Sequence, residues 1–186
     1  MKVIAILGSR NPKGRTAQAV EALLDGLHAG GVETETVFLP ELKIERCRQC
    51  DDEGWGLCIR KGECVIKDDF PKVVESMRAC DGAVFGTPVY FGDLSESMRA
   101  FLDRLRRICL HESGKDNVRG KTAIGVCVAG GGGGGAPSCS VSLESELSTS
   151  GFDVVDMVPV RRQNLDVKKK ILSELGRWYA GNPKSD

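Results

Sequence analysis

The chain has 186 residues, 41% of them apolar and 28% charged, the balance of a soluble globular domain long enough to close its core without disulfide staples. Lys+Arg and Asp+Glu both number 26, so no net field recommends nucleic acid or an anionic membrane as a partner. No stretch approaches the roughly 18 apolar residues of a spanning helix, and the apolar run at residues 3–7 is too short for a secretion signal, which predicts a cytoplasmic protein.

Residues 3–7 form a continuous apolar run, as parallel strands covered on both faces do, and the run breaks into Gly8-Ser9-Arg10-Asn11-Pro12-Lys13-Gly14-Arg15-Thr16. A helical stripe of Val20, Leu23, Leu24 and Leu27 follows. Residues 32–38 alternate apolar with Glu and Thr, which predicts an edge strand. A long excursion over residues 40–67 carries Cys47, Cys50, Cys58 and Cys64, and loops of that length in compact domains are functional or disordered. Phe70, Val73, Val74 and Met77 make the second stripe, with Asp68 and Asp69 as cap candidates.

Residues 82–85 are the next strand, breaking into Gly86-Thr87-Pro88-Val89-Tyr90-Phe91-Gly92. Met98, Phe101, Leu102 and Leu105 give a third stripe. The apolar strand at 122–129 runs into six consecutive glycines, and a weaker helix over 137–149 rests on Leu143 and Leu147. A mixed strand at 152–160 and a helix through Ile171, Leu172, Leu175, Trp178 and Tyr179 close the chain. Strand and helix alternate throughout, so one domain over 1–186 is expected, a parallel sheet with helices on both sides.

Three of the glycine-containing breaks fall at carboxyl ends of strands, where open α/β sheets bind ligands. The first leaves backbone N–H groups and a helix dipole pointing at one spot, with Ser9 and Thr16 hydroxyls and the charges of Arg10, Lys13 and Arg15 nearby. Its spacing is neither that of a Walker A loop nor of a dinucleotide fingerprint. The bland alternative is a plain turn with Thr16 as N-cap. In the second break Pro88 stiffens the backbone, Tyr90 and Phe91 offer flat faces, and Gly92 lets a ligand approach; otherwise the two aromatics simply pack a loop. The glycine run stays mobile or gains from close approach to a ligand, since glycine loses about 0.5–1 kcal/mol more than alanine on ordering. Together these breaks suit a flat ring carrying one phosphate: a flavin, and FMN rather than FAD.

Eight cysteines without a secretion signal argue against a disulfide framework. Cys80, Cys109 and Cys127 fit as small buried hydrophobes. The spacing of the quartet Cys47, Cys50, Cys58 and Cys64 reaches round a zinc ion or a 4Fe–4S cluster and also permits unligated thiols. Trp55 lies inside this loop as a cover for such a centre. Trp178 reads as core or oligomer contact, His28 as a surface residue, and His111 as a cation at a helix end.

The chain resembles the flavodoxin-like NADPH-dependent FMN reductase family, and within it the iron–sulfur flavoproteins. The likeness is carried by Gly8-Ser9, Gly14-x-Thr16, the stretch 62–69, residues 86–92, and Ala100-Phe101-Leu102-Asp103-Arg104. It implies a doubly wound, five-stranded parallel sheet of order 2-1-3-4-5. Ser9, Arg10, Gly14, Arg15 and Thr16 would hold the FMN phosphate. Thr87, Pro88, Val89, Tyr90, Phe91 and Gly92 would flank the isoalloxazine, with Gly131, Gly132 and Gly133 at its other edge. The implied reaction takes electrons from NAD(P)H through FMN to a small-molecule or protein acceptor, with no catalytic side chain. Alternatives are an iron–sulfur flavoprotein relaying single electrons and a zinc-stapled module without turnover. A homodimer or higher homo-oligomer is implied. The sequence departs from the family at Arg10-Asn11, where a Pro-Arg pair is usual, and at Arg15, where asparagine is usual. Seven residues, not two, separate Cys50 from the third cysteine.

Overall fold

A computed structural model describes residues 1–182. In chain order its strands and α-helices are β1 (Lys2–Leu7), α1 (Arg15–Ala29), β2 (Glu33–Phe38), α2 (Leu57–Lys61), α3 (Phe70–Arg78) and β3 (Gly82–Pro88), then α4 (Glu96–Cys109), β4 (Thr122–Ala129), α5 (Ala136–Ser150), β5 (Asp153–Arg161) and α6 (Leu165–Gly181). The sheet is parallel throughout, in the order β2-β1-β3-β4-β5. The chain steps from β1 outward to β2, then back across β1 to β3. The crevice between β1 and β3 is therefore the switch point of the sheet.

Side-chain alternation sorts each inner strand onto two cores. Ile4, Ile6, Ala83, Phe85 and Cys127 meet α3, α4 and α5, where Phe70 lies 5.4 Å from Phe101 and Phe85 lies 5.4 Å from Phe152. Val3, Ala5, Leu7, Val84 and Val126 meet Leu23 and Leu27 of α1 and Leu172 and Tyr179 of α6. The three central strands are apolar on both faces because both faces are covered, whereas the edge strands β2 and β5 are mixed. Cys80, Cys109 and Cys127 are buried in the first core. Burial pushes the Cys109 thiol up to about 12, which keeps it protonated and inert.

Tyr179, whose hydroxyl pairs with Thr122, is the core aromatic of α6; its neighbour Trp178 is half exposed, which removes the core alternative expected for that tryptophan. His28 is on the surface, 2.6 Å from the Thr34 hydroxyl. No helix among the described residues is long and apolar enough to cross a membrane.

Helices α1 and α6 touch backbone to backbone at Gly26 and Gly176. A Cβ on Gly26 would run into the Ser173 carbonyl oxygen and stand 3.0 Å from the Arg177 amide nitrogen. Gly26→Ala should therefore lower the thermal midpoint. Overpacking costs about 1–3 kcal/mol, the upper end where both obstacles are main chain, and that exceeds the roughly 1 kcal/mol of helix propensity gained. An unchanged or raised midpoint would show that the two helices can part without loss.

The helix starts differ from expectation. Gly14, not Thr16, caps α1; Thr16 sits inside the first turn, 4% exposed, so the plain-turn alternative with a Thr16 cap does not hold. At α3 the cap position is Asp69, which makes no side-chain cap bond; Asp68 instead accepts from the Phe70 amide at 3.1 Å. Both carboxylates reach back to the excursion. Asp69 accepts from the Lys43 amide at 2.9 Å and Asp68 from the Glu45 amide at 2.8 Å.

Candidate functional site

The loops after β1, β3 and β4 enclose a cavity of about 440 Å³ at the carboxyl end of the sheet. Ser9, Arg15 and Thr16 form one wall, Pro88, Val89 and Tyr90 a second, and Val128, Ala129 and the glycines 130–134 a third. That volume lies in the range of small-molecule and cofactor sites. The first wall is the N-terminus of α1, whose first turn carries no acidic residue and whose cap makes no side-chain bond. Its amide N–H groups have no intrahelical partner, and with the Arg15 charge and two hydroxyls they suit a phosphate.

The third wall is bare main chain. A Cβ at Gly130, Gly131, Gly132 or Gly134 would meet nothing within 4 Å, so the glycines face open space. The run nevertheless has a shape: Gly133 N–H bonds Gly130 O at 2.8 Å, and Gly131, Gly133 and Gly135 have φ of 30°, 80° and 79°. Gln163 latches it from outside, donating from Nε2 to Gly132 O at 3.0 Å. No local sequence signal points to Gln163, since it lies 31 residues further along the chain.

Five of the expected site residues do not line this cavity. Arg10 faces outward, 3.8 Å from Glu96, beside a separate cavity of about 190 Å³. Gly14 closes a turn with its N–H on Asn11 O at 2.9 Å, where a Cβ would press on that oxygen at 3.1 Å. The Thr87 hydroxyl turns inward to accept from the Ser95 amide at 3.1 Å, tying β3 to the N-cap of α4. Phe91 and Gly92 form the tip of a tight turn in which Tyr90 and Asp93 exchange backbone bonds of 2.9 and 3.0 Å. Positive φ at both tip residues, 52° and 82°, is that of a type I′ turn, and it leaves the Phe91 ring fully exposed. Alternation along β3 is the signal that finds Thr87: Phe85 faces α4, and the residue two further on must face the same way.

The cysteine excursion folds back on the later turns of α4. Cys47, Cys50, Cys58 and Cys64 all line one small cavity of about 20 Å³, closed by Leu57, Val65, Ile66 and Ile108 with Arg104 and Arg107. All four thiols are free and half-buried. Among the described residues no three of His, Cys, Asp and Glu are gathered as ligands of a single metal ion. Trp55 covers Arg107 rather than a cysteine, its ring 4.1 Å from the guanidinium carbon, and His111 packs edge-on to the same ring at 4.9 Å. His111 thus packs its ring against Trp55 beside the helix end.

The model of the NADPH-dependent FMN reductases matches residues 1–167. The chain belongs to that family. Curated relatives of this chain include an iron–sulfur flavoprotein of Methanocaldococcus jannaschii, 34% identical over 131 residues, or 70% of this chain and 65% of the relative. An iron–sulfur flavoprotein of Archaeoglobus fulgidus is 34% identical over 143 residues, 77% of this chain and 66% of the relative. The chain spans about two thirds or less of the length of the curated relatives it matches. Among solved structures, an NAD(P)H:quinone oxidoreductase from Methanothermobacter marburgensis superposes with a TM-score of 0.73 at 20% identity, covering 100% of this chain and 97% of the other. A flavodoxin from the domain Archaea gives 0.63 at 14% identity, covering 97% of each chain. These structures share the flavodoxin-like fold.

Proposed function

We propose that this chain binds FMN in the cavity between β1, β3 and β4 and passes electrons from NAD(P)H to a small-molecule or protein acceptor. The observation that carries the reading is the meeting of an uncapped helix N-terminus, a Pro88–Tyr90 wall and bare glycine main chain in one 440 Å³ cavity at the switch point. Ser9, Arg15, Thr16 and the first-turn amides hold the phosphate. Pro88, Val89 and Tyr90 flank the ring, and Gly131, Gly132 and Gly133 leave room for a planar partner to lie against it. Gly14 and Thr87 act through the backbone they brace, and Phe91 and Gly92 shape the rim. Bound FMN supplies the redox chemistry. The residues lining the cavity carry no carboxylate, imidazole or thiol, so the chain's part is to bind, orient and shield.

The cysteine quartet fits a 4Fe–4S cluster in donor set and surroundings. Four thiols share one enclosure with aliphatic side chains, with Arg107 and with Arg104, the last already paired with Asp68. The quartet favours an iron–sulfur flavoprotein within the family, and two copies or more would complete the open rim at Phe91.

Extraction of the cofactor from anaerobically purified protein tests the reading. FMN at one per chain, bleached on adding NADPH or NADH, is expected. FAD at full occupancy would overturn it, because the first loop provides one anion site and no second.

A further inference from the structure

Arg104 lies in the apolar stripe of α4 with only 1% of its side chain exposed. Its Nη1 donates to Asp68 Oδ2 at 2.5 Å and to the Glu45 carbonyl at 3.1 Å, and its Nη2 donates to Asp68 Oδ1 at 3.0 Å. The guanidinium carbon stands 4.2 Å over the Phe70 ring. These contacts hold the plane of the fork and use its two outer nitrogens. The inner nitrogen, Nε, is buried as well and has no hydrogen-bond partner among the described residues. An unmet donor on a buried cation is costly.

Arg104 is also part of the wall of the cysteine cavity, together with Cys64. The Cys64 side chain lies beside its guanidinium. A thiolate sulfur is the acceptor such a donor lacks.

We propose that Arg104 is a positioning residue for the cysteine quartet, its Nε–H donating to the Cys64 sulfur when that cysteine is a cluster thiolate. The inference rests on reading the quartet as a 4Fe–4S site. Hydrogen bonds to ligand sulfurs draw charge from a cluster, favour its reduced form and orient the ligand. Asp68 supports the role from behind, because a bidentate carboxylate fixes the direction in which Nε–H points, which a lysine cannot reproduce.

Two variants of the full chain test this. Arg104→Lys keeps a cation opposite Asp68 and removes the Nε–H. Arg104→Met combined with Asp68→Asn removes both charges together while leaving a side-chain oxygen for the amides of Glu45 and Phe70. Each is reconstituted anaerobically with iron and sulfide, with bound flavin per chain as the measure of folding. The midpoint potential is followed by electron paramagnetic resonance, and iron loss by transfer to a chelator. Both variants should keep their flavin, show a midpoint shifted to more negative potential, and lose iron several-fold faster than the wild type. A midpoint and a rate of iron loss unchanged in either variant would overturn the role of Arg104 alone. Wild-type protein that takes up flavin but neither iron nor sulfide would overturn the reading of the quartet, and this role with it.

Discussion

Asp68→Ala should destabilise the fold by about 3–5 kcal/mol, the usual cost of stripping one partner from a buried ion pair. The Asp68 and Arg104 side chains are 4% and 1% exposed, and the carboxylate also accepts from the amides of Glu45 and Phe70. Its loss would leave an unpaired guanidinium in the core and free both the excursion and the start of α3. Urea denaturation of wild type and variant would measure this; a difference below about 1 kcal/mol would show that Arg104 finds solvent. The same pair sets an acid limit. Burial alone would raise the Asp68 carboxyl, but the Arg104 guanidinium and the two amide donors outweigh it and hold the carboxyl below its ordinary value. A carboxylate depressed in the folded state contributes its stability in full above the unfolded value, near pH 4, and loses it as the pH falls through the folded one. The wild type should therefore lose stability below about pH 4 more steeply than the double variant lacking both charges.

Thr16→Val should weaken FMN binding by about 1–3 kcal/mol, roughly five-fold to more than a hundred-fold, if its hydroxyl bonds the charged phosphate. Thr16 is buried within the first turn of α1 and lines the cavity, so valine fills the same space and removes only the oxygen. Flavin fluorescence quenching during titration of apoprotein reads the change directly. An unchanged affinity would assign phosphate binding to the amides and Arg15 alone.

The sheet was legible because buried parallel strands are nearly continuous apolar runs, and the order of strands follows from the switch implied by the family resemblance. Ser9, Thr16, Pro88 and Tyr90 could be gathered from sequence because each stands in a break at a strand end. Thr87, placed beside the ring by the family resemblance, turns its hydroxyl to the Ser95 amide, as the period of two along β3 directs. Arg10 was grouped with the phosphate site by charge, but it pairs outward with Glu96. Gln163 and the Asp68–Arg104 pair depend on contacts 31 and 36 residues apart, which no local pattern reports. One clue was available: Arg104 falls between Phe101 and Leu105 on the buried side of its helix, where a charge needs a partner.

Asp68 and Asp69 bind the amides of Glu45 and Lys43, so the excursion leaves and rejoins the body at neighbouring points. Whatever lies between those anchors is a closed loop whose entropic cost grows only with the logarithm of its length, about 0.6 kcal/mol for each doubling. Residues can then be inserted between Cys50 and Cys58 at small cost in stability and with no displacement of the sheet. The wide spacing in this chain is thus a variation the scaffold absorbs.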